Sequence, residues 1–209
     1  MKTFVDECMT SLGAAGPWIK LSGRQLSGCP KELIWVEVDL DSRFASIRTQ
    51  ETNLGNFVVD VMRYAMKADV AMLNSGTLRA DAIIEKGDIK VRDLVNLLPM
   101  LDELCLLQLT GTQVLAALEN SVSQYPRLEG RFAQVSGVTF SFDAAKPALA
   151  RIEERSVKIG DEPLQPEKSY KLVTKDYLRK GKDGYDVFMD GICQGPEHGE
   201  NWTWRSLYR

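Results

Sequence analysis

Apolar and polar positions along the chain change period in a way that marks out its elements. Ile34, Val36, Val38 and Leu40 alternate with polar or aromatic neighbours, the two-residue period of a half-buried strand. Past Glu51-Thr52-Asn53 the period lengthens, and Leu54, Phe57, Val58, Val61, Met62 and Ala65 fall on one face of a helix. Thr52 or Asn53 is placed to cap it, because a short side-chain oxygen there accepts from the free amides of the first turn. Residues 68–73 read as a buried strand that breaks at the polar turn Asn74-Ser75-Gly76. Residues 92–98 suggest a short helix ended by Pro99, and 103–109 a strand. Thr110 caps the helix that follows, with Val114, Leu115, Ala117 and Leu118 on its apolar face. Beyond the loop at Gly130, residues 135–142, 152–159 and 170–174 alternate as strands. Helices and strands are intermingled, which predicts an α/β (α+β) domain on a mixed β-sheet with packed helices.

Composition narrows the function more than the fold. The chain has 209 residues, 44% hydrophobic and 26% charged, within the range of ordinary globular domains. A net charge of −3 gives no basic field for nucleic acid or an anionic membrane. Residues 1–16 are interrupted by Asp6 and Glu7 and do not form a secretory apolar core, and no run reaches a membrane-spanning length. Compartment is therefore open. Cys8, Cys29, Cys105 and Cys193 form no Cys-x-x-Cys pair, and Cys105 sits in an apolar run as a buried hydrophobe. The single histidine, His198, lies in a polar tail, so a histidine-rich metal site is not expected. Residues 1–37, broken by Gly13, Gly16-Pro17, Gly23 and Gly28-Cys29-Pro30, read as an irregular lead-in or the remnant of an inter-domain linker, followed by one domain (38–190) and a polar tail (191–209). Trp202 and Trp204 in that tail suit either a docking site or an aberrant C-terminus.

Arg48, Asn53, Asn74, Arg79, Tyr177 and Asp183 fall at element boundaries or in glycine-bearing loops, where side chains can converge on a ligand. Arginine offers a planar fork of donors to phosphate, and asparagine both a donor and an acceptor. In Lys180-Gly181-Lys182-Asp183-Gly184-Tyr185, a glycine on each side of Asp183 allows close approach of a ligand, although composition alone favours a hairpin turn. In the competing arrangement, Arg79 pairs with Asp81 and Asp183 only stabilises its own turn. Glu51, just before a helix, favours that helix's positive end.

Several ordered blocks resemble the C-terminal domain of the 5′-nucleotidase family. They are Arg48-Thr49-Gln50-Glu51-Thr52-Asn53-Leu54-Gly55-Asn56, Asn74-Ser75-Gly76-Thr77-Leu78-Arg79, Asp93-Leu94 to Leu98-Pro99, and Leu109-Thr110-Gly111. Gly130-Arg131-Phe132, Val135-Ser136-Gly137, Tyr177-Leu178 and Gly181-Lys182-Asp183-Gly184-Tyr185 complete the series. The resemblance implies a substrate-recognition domain of a phosphomonoester hydrolase in nucleotide catabolism. The hydrolysis itself, with two divalent metals, would belong to an N-terminal metallophosphoesterase domain that this chain lacks as a fragment or short product. It implies no catalytic residue here. Arg48, Asn74 and Arg79 would contact phosphate, ribose or base, Asp183 the sugar hydroxyls, and Tyr177 would stack on the base. The family's second stacking ring is replaced by Met100, and the second glycine of its Gly-Gly-Asp-Gly by Lys182. These departures leave the substrate open among nucleoside monophosphates, diphosphates and other sugar phosphates. The alternatives are a stand-alone nucleotide- or sugar-phosphate-binding module serving a catalytic partner chain, and a domain kept only for structure. Relatives are often extracellular or periplasmic.

Overall fold

The computed structural model describes residues 19–21, 34–100 and 102–194. The expectations for Cys8, Cys29, His198, Trp202 and Trp204 lie outside them.

Strands β1 (Ile19–Leu21) and β2 (Ile34–Val36) pair antiparallel. The alternation that runs on to Leu40 does not continue as one strand. Asn53 donates to the Asp39 carbonyl at 2.8 Å, and the Lys86 amide donates to the Asp39 carboxylate at 2.9 Å. These bonds turn the chain, so β3 (Leu40–Asp41) pairs with β5 (Ile83–Ile84), while β2 pairs with β6 (Gly87–Ile89). A short helix α1 (Phe44–Ile47) precedes α2 (Asn53–Ala65), whose cap is Thr52, its hydroxyl accepting from the Gly55 amide at 3.0 Å. Strand β4 (Val70–Asn74) follows, then α3 (Val91–Leu97). Strand β7 (Leu104–Thr110) leads into α4 (Gly111–Val122). There the Thr110 hydroxyl accepts from the Gln113 amide and the Gln113 side chain accepts from the Thr110 amide, a reciprocal cap.

Two expected strands are broken. Residues 135–142 split at Gly137 into β8 (Ala133–Ser136) and β9 (Val138–Thr139). Gly137 has φ 75°, and a Cβ there would stand 2.1 Å from the Asp69 carbonyl oxygen. In 152–159 the Glu119 carboxylate takes the amides of Arg151 and Ile152 at 3.0 and 2.7 Å, and residues 154–156 form a 3₁₀ turn. Ile152 keeps a single antiparallel bridge to Phe142, and β10 (Lys158–Ile159) forms a strand between β9 and β11 (Glu162–Pro163).

The last strands are β12 (Ser169–Lys175) and, after helix α5 (Asp176–Arg179), β13 (Ile192–Gln194). They complete a five-stranded mixed sheet in the order β13-β7-β12-β4-β8. Because Val70/Met72 and Ala71/Leu73 point to opposite faces, the sheet separates two cores. Leu54, Phe57, Val58 and Val61 of α2 pack with Leu73 and Val173 on one face. Val114, Ala117 and Leu118 of α4 pack with Met72, Leu107 and Leu172 on the other. Each such fully buried side chain stabilises the fold by about 1.5–3 kcal/mol.

Register decides where the loops meet. β4 and β12 are parallel, β7 and β8 run antiparallel to them, and Asn74 lies opposite Ala133 while Lys175 lies opposite Leu104. The segments after Asn74 and Lys175 and before Leu104 and Ala133 therefore emerge at one end of the sheet, the place where open sheets hold ligands.

Candidate ligand-binding site

At that end a chain of hydrogen bonds fixes Asp183. The Thr77 hydroxyl donates to Asn74 Oδ1 at 2.6 Å, which turns the Asn74 amide so that Nδ2 donates to Asp183 Oδ2 at 2.7 Å. The Tyr177 hydroxyl donates to Asp183 Oδ1 at 3.0 Å. Burial, and then this bond to Asp183, raises the Tyr177 phenol above its ordinary pKa, so it stays a donor at neutral pH. Each Asp183 oxygen carries one bond and keeps room for another.

Residues 180–185 are not the hairpin that composition favours. They join α5 to a 3₁₀ turn through left-handed Gly181, Asp183 and Gly184, at φ 76°, 55° and 77°. The strain at Asp183 is held from behind: Asn120 Nδ2 donates to its carbonyl at 3.1 Å, and Arg131 donates to Asn120 Oδ1 at 3.3 Å. The buried Tyr185 hydroxyl donates to the Arg131 carbonyl at 2.6 Å. Gly76 and Gly130 let two loops close against this cluster. Their backbones share a 2.9 Å hydrogen bond, and a Cβ on Gly130 would come within 3.1 Å of Gly76 Cα.

The same end carries two arginines. Arg48 stacks its guanidinium over the Phe44 ring at 4.0 Å and donates from Nη1 to the Leu128 carbonyl at 3.0 Å, while its buried Nε has no partner. Burial, and next the charge of Arg79, lowers the Arg48 pKa below the ordinary arginine value. Arg79 is exposed and forms no ion pair among the described residues. Asp81 instead accepts from the Phe44 amide at 2.8 Å. Arg79 thus acts electrostatically on both Arg48 and Tyr177. An anion near the two guanidiniums would relieve their repulsion.

Tyr177 is 39% exposed and Met100 37% exposed. Among the described residues Met100 makes no hydrogen bond or ring contact with the cluster. Asn53 serves the fold: its amide is taken up by Asp39, Asp41 and Leu54. Sequence reasoning missed Thr77, Asn120, Lys175 and Asp102. A signal for Asn120 was present, since the polar run Glu119-Asn120-Ser121 falls between the apolar Leu118 and Val122 and is buried there. Burial, then the Asp176 charge, pushes the Cys105 thiol up to about 11, which leaves it unsuited to nucleophilic work at neutral pH. Among the described residues no group of three or more His, Cys, Asp or Glu side chains is arranged to hold a metal ion. The residues described offer no donor set for the divalent metals that the resemblance assigns to another domain. A groove of about 510 Å³ between the β5–β6 segment and α3 shares none of the clustered residues.

A family model described as "5′-nucleotidase, C-terminal domain" matches residues 34–190. The chain belongs to this family. It is 33% identical over 174 residues to the trifunctional nucleotide phosphoesterase protein YfkN of Bacillus subtilis, covering 80% of this chain and 11% of that protein. It is 29% identical over 175 residues to the 5′-nucleotidase of Mus musculus, covering 75% of this chain and 30% of that protein. Among solved structures, the 5′-nucleotidase precursor of Thermus thermophilus matches with a TM-score of 0.74 and 34% identity, over 82% of this chain and 34% of that one. The putative 5′-nucleotidase of Staphylococcus aureus shares the fold, with a TM-score of 0.66 at 17% identity. The chain spans only 11–36% of these relatives. The mixed sheet with helices on both faces is the 5′-nucleotidase C-terminal domain architecture.

Proposed function

We propose that this domain binds the organic end of a phosphorylated substrate, a nucleoside or sugar phosphate, and presents it to a separate metal-bearing domain that cleaves the phosphate ester. One observation carries the reading: a carboxylate clamped by Asn74 and Tyr177 stands at the same end of the sheet as Arg48, whose buried Nε has no partner, and the exposed Arg79. Asp183, with a free lone pair on each oxygen, accepts from vicinal sugar hydroxyls. Arg79, exposed and without an ion pair among the described residues, meets the phosphate. The open face of Tyr177 stacks on a base, a contact of about 1–3 kcal/mol where base and aromatic ring meet. The residues described supply binding and orientation, and no bond-breaking step is assigned to them.

Calorimetric titration with AMP and with ribose 5-phosphate tests this reading. Saturable binding of both, weakened by Arg79→Ala, is the expected result. Absence of binding by the wild-type chain, or binding indifferent to Arg79→Ala, counts against it.

A further inference from the structure

Lys175 closes β12 with its side chain only 3% exposed, and a buried ammonium is costly unless it is paired. Its Nζ pairs with Asp102 Oδ2 at 2.9 Å and lies 4.5 Å from the centroid of the Tyr177 ring. Asp102 stands two positions after Met100, and Tyr177 two positions after Lys175. The same segments are tied by a main-chain bond, the Asp176 amide donating to the Glu103 carbonyl at 2.8 Å.

We propose that the Asp102–Lys175 ion pair is a strut between the Met100 segment and Tyr177, which makes the site select ligands that carry a base over base-free sugar phosphates. The inference rests on the binding role proposed above. The ammonium covers one face of the ring, so a base can stack only on the other. Packing alone does not account for the pair, because well-packed apolar residues in place of a buried ion pair are often no less stable. Lys175 touches no ligand in this arrangement; it is a positioning residue.

The test is calorimetry on the 209-residue chain with AMP and ribose 5-phosphate, comparing wild type with Lys175→Met, Asp102→Asn and the double variant. Losing the strut is expected to weaken AMP binding by roughly fivefold to tenfold, the low end of one base–aromatic contact, while ribose 5-phosphate binding stays within about twofold. Because both single changes break the same pair, the double variant is expected to lose no more than the worse single one. Equal loss for both ligands, or no loss for either, overturns the strut. So does a wild-type chain that binds ribose 5-phosphate but not AMP. A wild-type chain that binds neither overturns the preceding reading instead, and the strut with it. Should Lys175→Met fail to fold, Asp102→Asn, on a partly exposed loop, carries the same comparison.

Discussion

Asn74 and Asp183 lie 109 positions apart in the chain, and their side chains meet at 2.7 Å. The contact follows from the parallel register of β4 and β12, which delivers both following loops to one end of the sheet. Asp183 is left-handed at φ 55°, a conformation that asparagine tolerates and alanine does not. Asp183→Asn is therefore the informative change. It removes the charged acceptor and keeps the backbone. Binding of ribose 5-phosphate is expected to weaken by about 1.5–3 kcal/mol, with a melting temperature within a few degrees of wild type. Calorimetry and thermal unfolding check this, and unchanged affinity would count against a sugar contact at Asp183.

The resemblance puts Met100 in the place of the family's second stacking ring, and a thioether does not reproduce ring stacking. Met100→Phe is expected to tighten AMP binding by about 1 kcal/mol and to leave ribose 5-phosphate unaffected. Equal affinities for AMP before and after would mean that no base stacks there.

The Arg48 loop depends on Gln134. Its side chain donates to the carbonyls of Ile47 and Gln50 at 2.9 and 2.8 Å and accepts from the Thr52 amide at 3.2 Å. A Cβ on Gly55 would stand 2.1 Å from Gln134 Oε1. Gly55→Ala must displace that side chain and leave buried groups unpaired. A loss of about 2 kcal/mol or more is expected in chemical denaturation. An unchanged denaturation midpoint would show that the Gln134 bridge is dispensable.

Much of this fold was legible in the sequence, and the reasons are local. Thr52 and Thr110 cap helices whose apolar stripes continue for three turns, so side-chain period and cap agree. The broken strands were not legible, because the breaks depend on partners far away: Asp69 against Gly137, and Glu119 against Ile152. The site divides the same way. Asn74, Tyr177 and Asp183 were candidates through turn chemistry and resemblance, and the structure joins them by hydrogen bonds. Lys175 was hidden at the end of a strand, where nothing in the sequence tells a buried lysine from a solvated one.

Thiol reactivity provides a test that needs no ligand. Burial raises the Cys105 thiol to about 11, so at pH 8 only about one thiol in a thousand is ionised, and reactivity grows as pH rises toward that value. Cys193 is exposed. Peptide mapping after iodoacetamide treatment at pH 8 is expected to find Cys193 alkylated well before Cys105. Simultaneous labelling would show that the half-buried Cys105 thiol is not held protonated.

The 209-residue chain has one histidine, and among the described residues no cluster of metal ligands. Purified alone, it is expected to show no metal-dependent release of phosphate from AMP or an aryl phosphate. Turnover that survives purification and is abolished by a chelator would contradict the division of labour proposed here.

Asn74, Tyr177 and Asp183 are proposed to form part of a ligand pocket rather than a purely structural network. Amide NMR during titration with AMP tests it most directly, because the Asn74 side-chain NH₂ reports on the bond to Asp183 itself. Saturable shifts are expected for that side chain and for the Thr77, Gly130, Tyr177 and Asp183 amides, with Val114, Ala117 and Leu118 of the α4 core unmoved. Shifts confined to other surfaces, or no saturable shift of the Asn74 side chain at any AMP concentration, would contradict it.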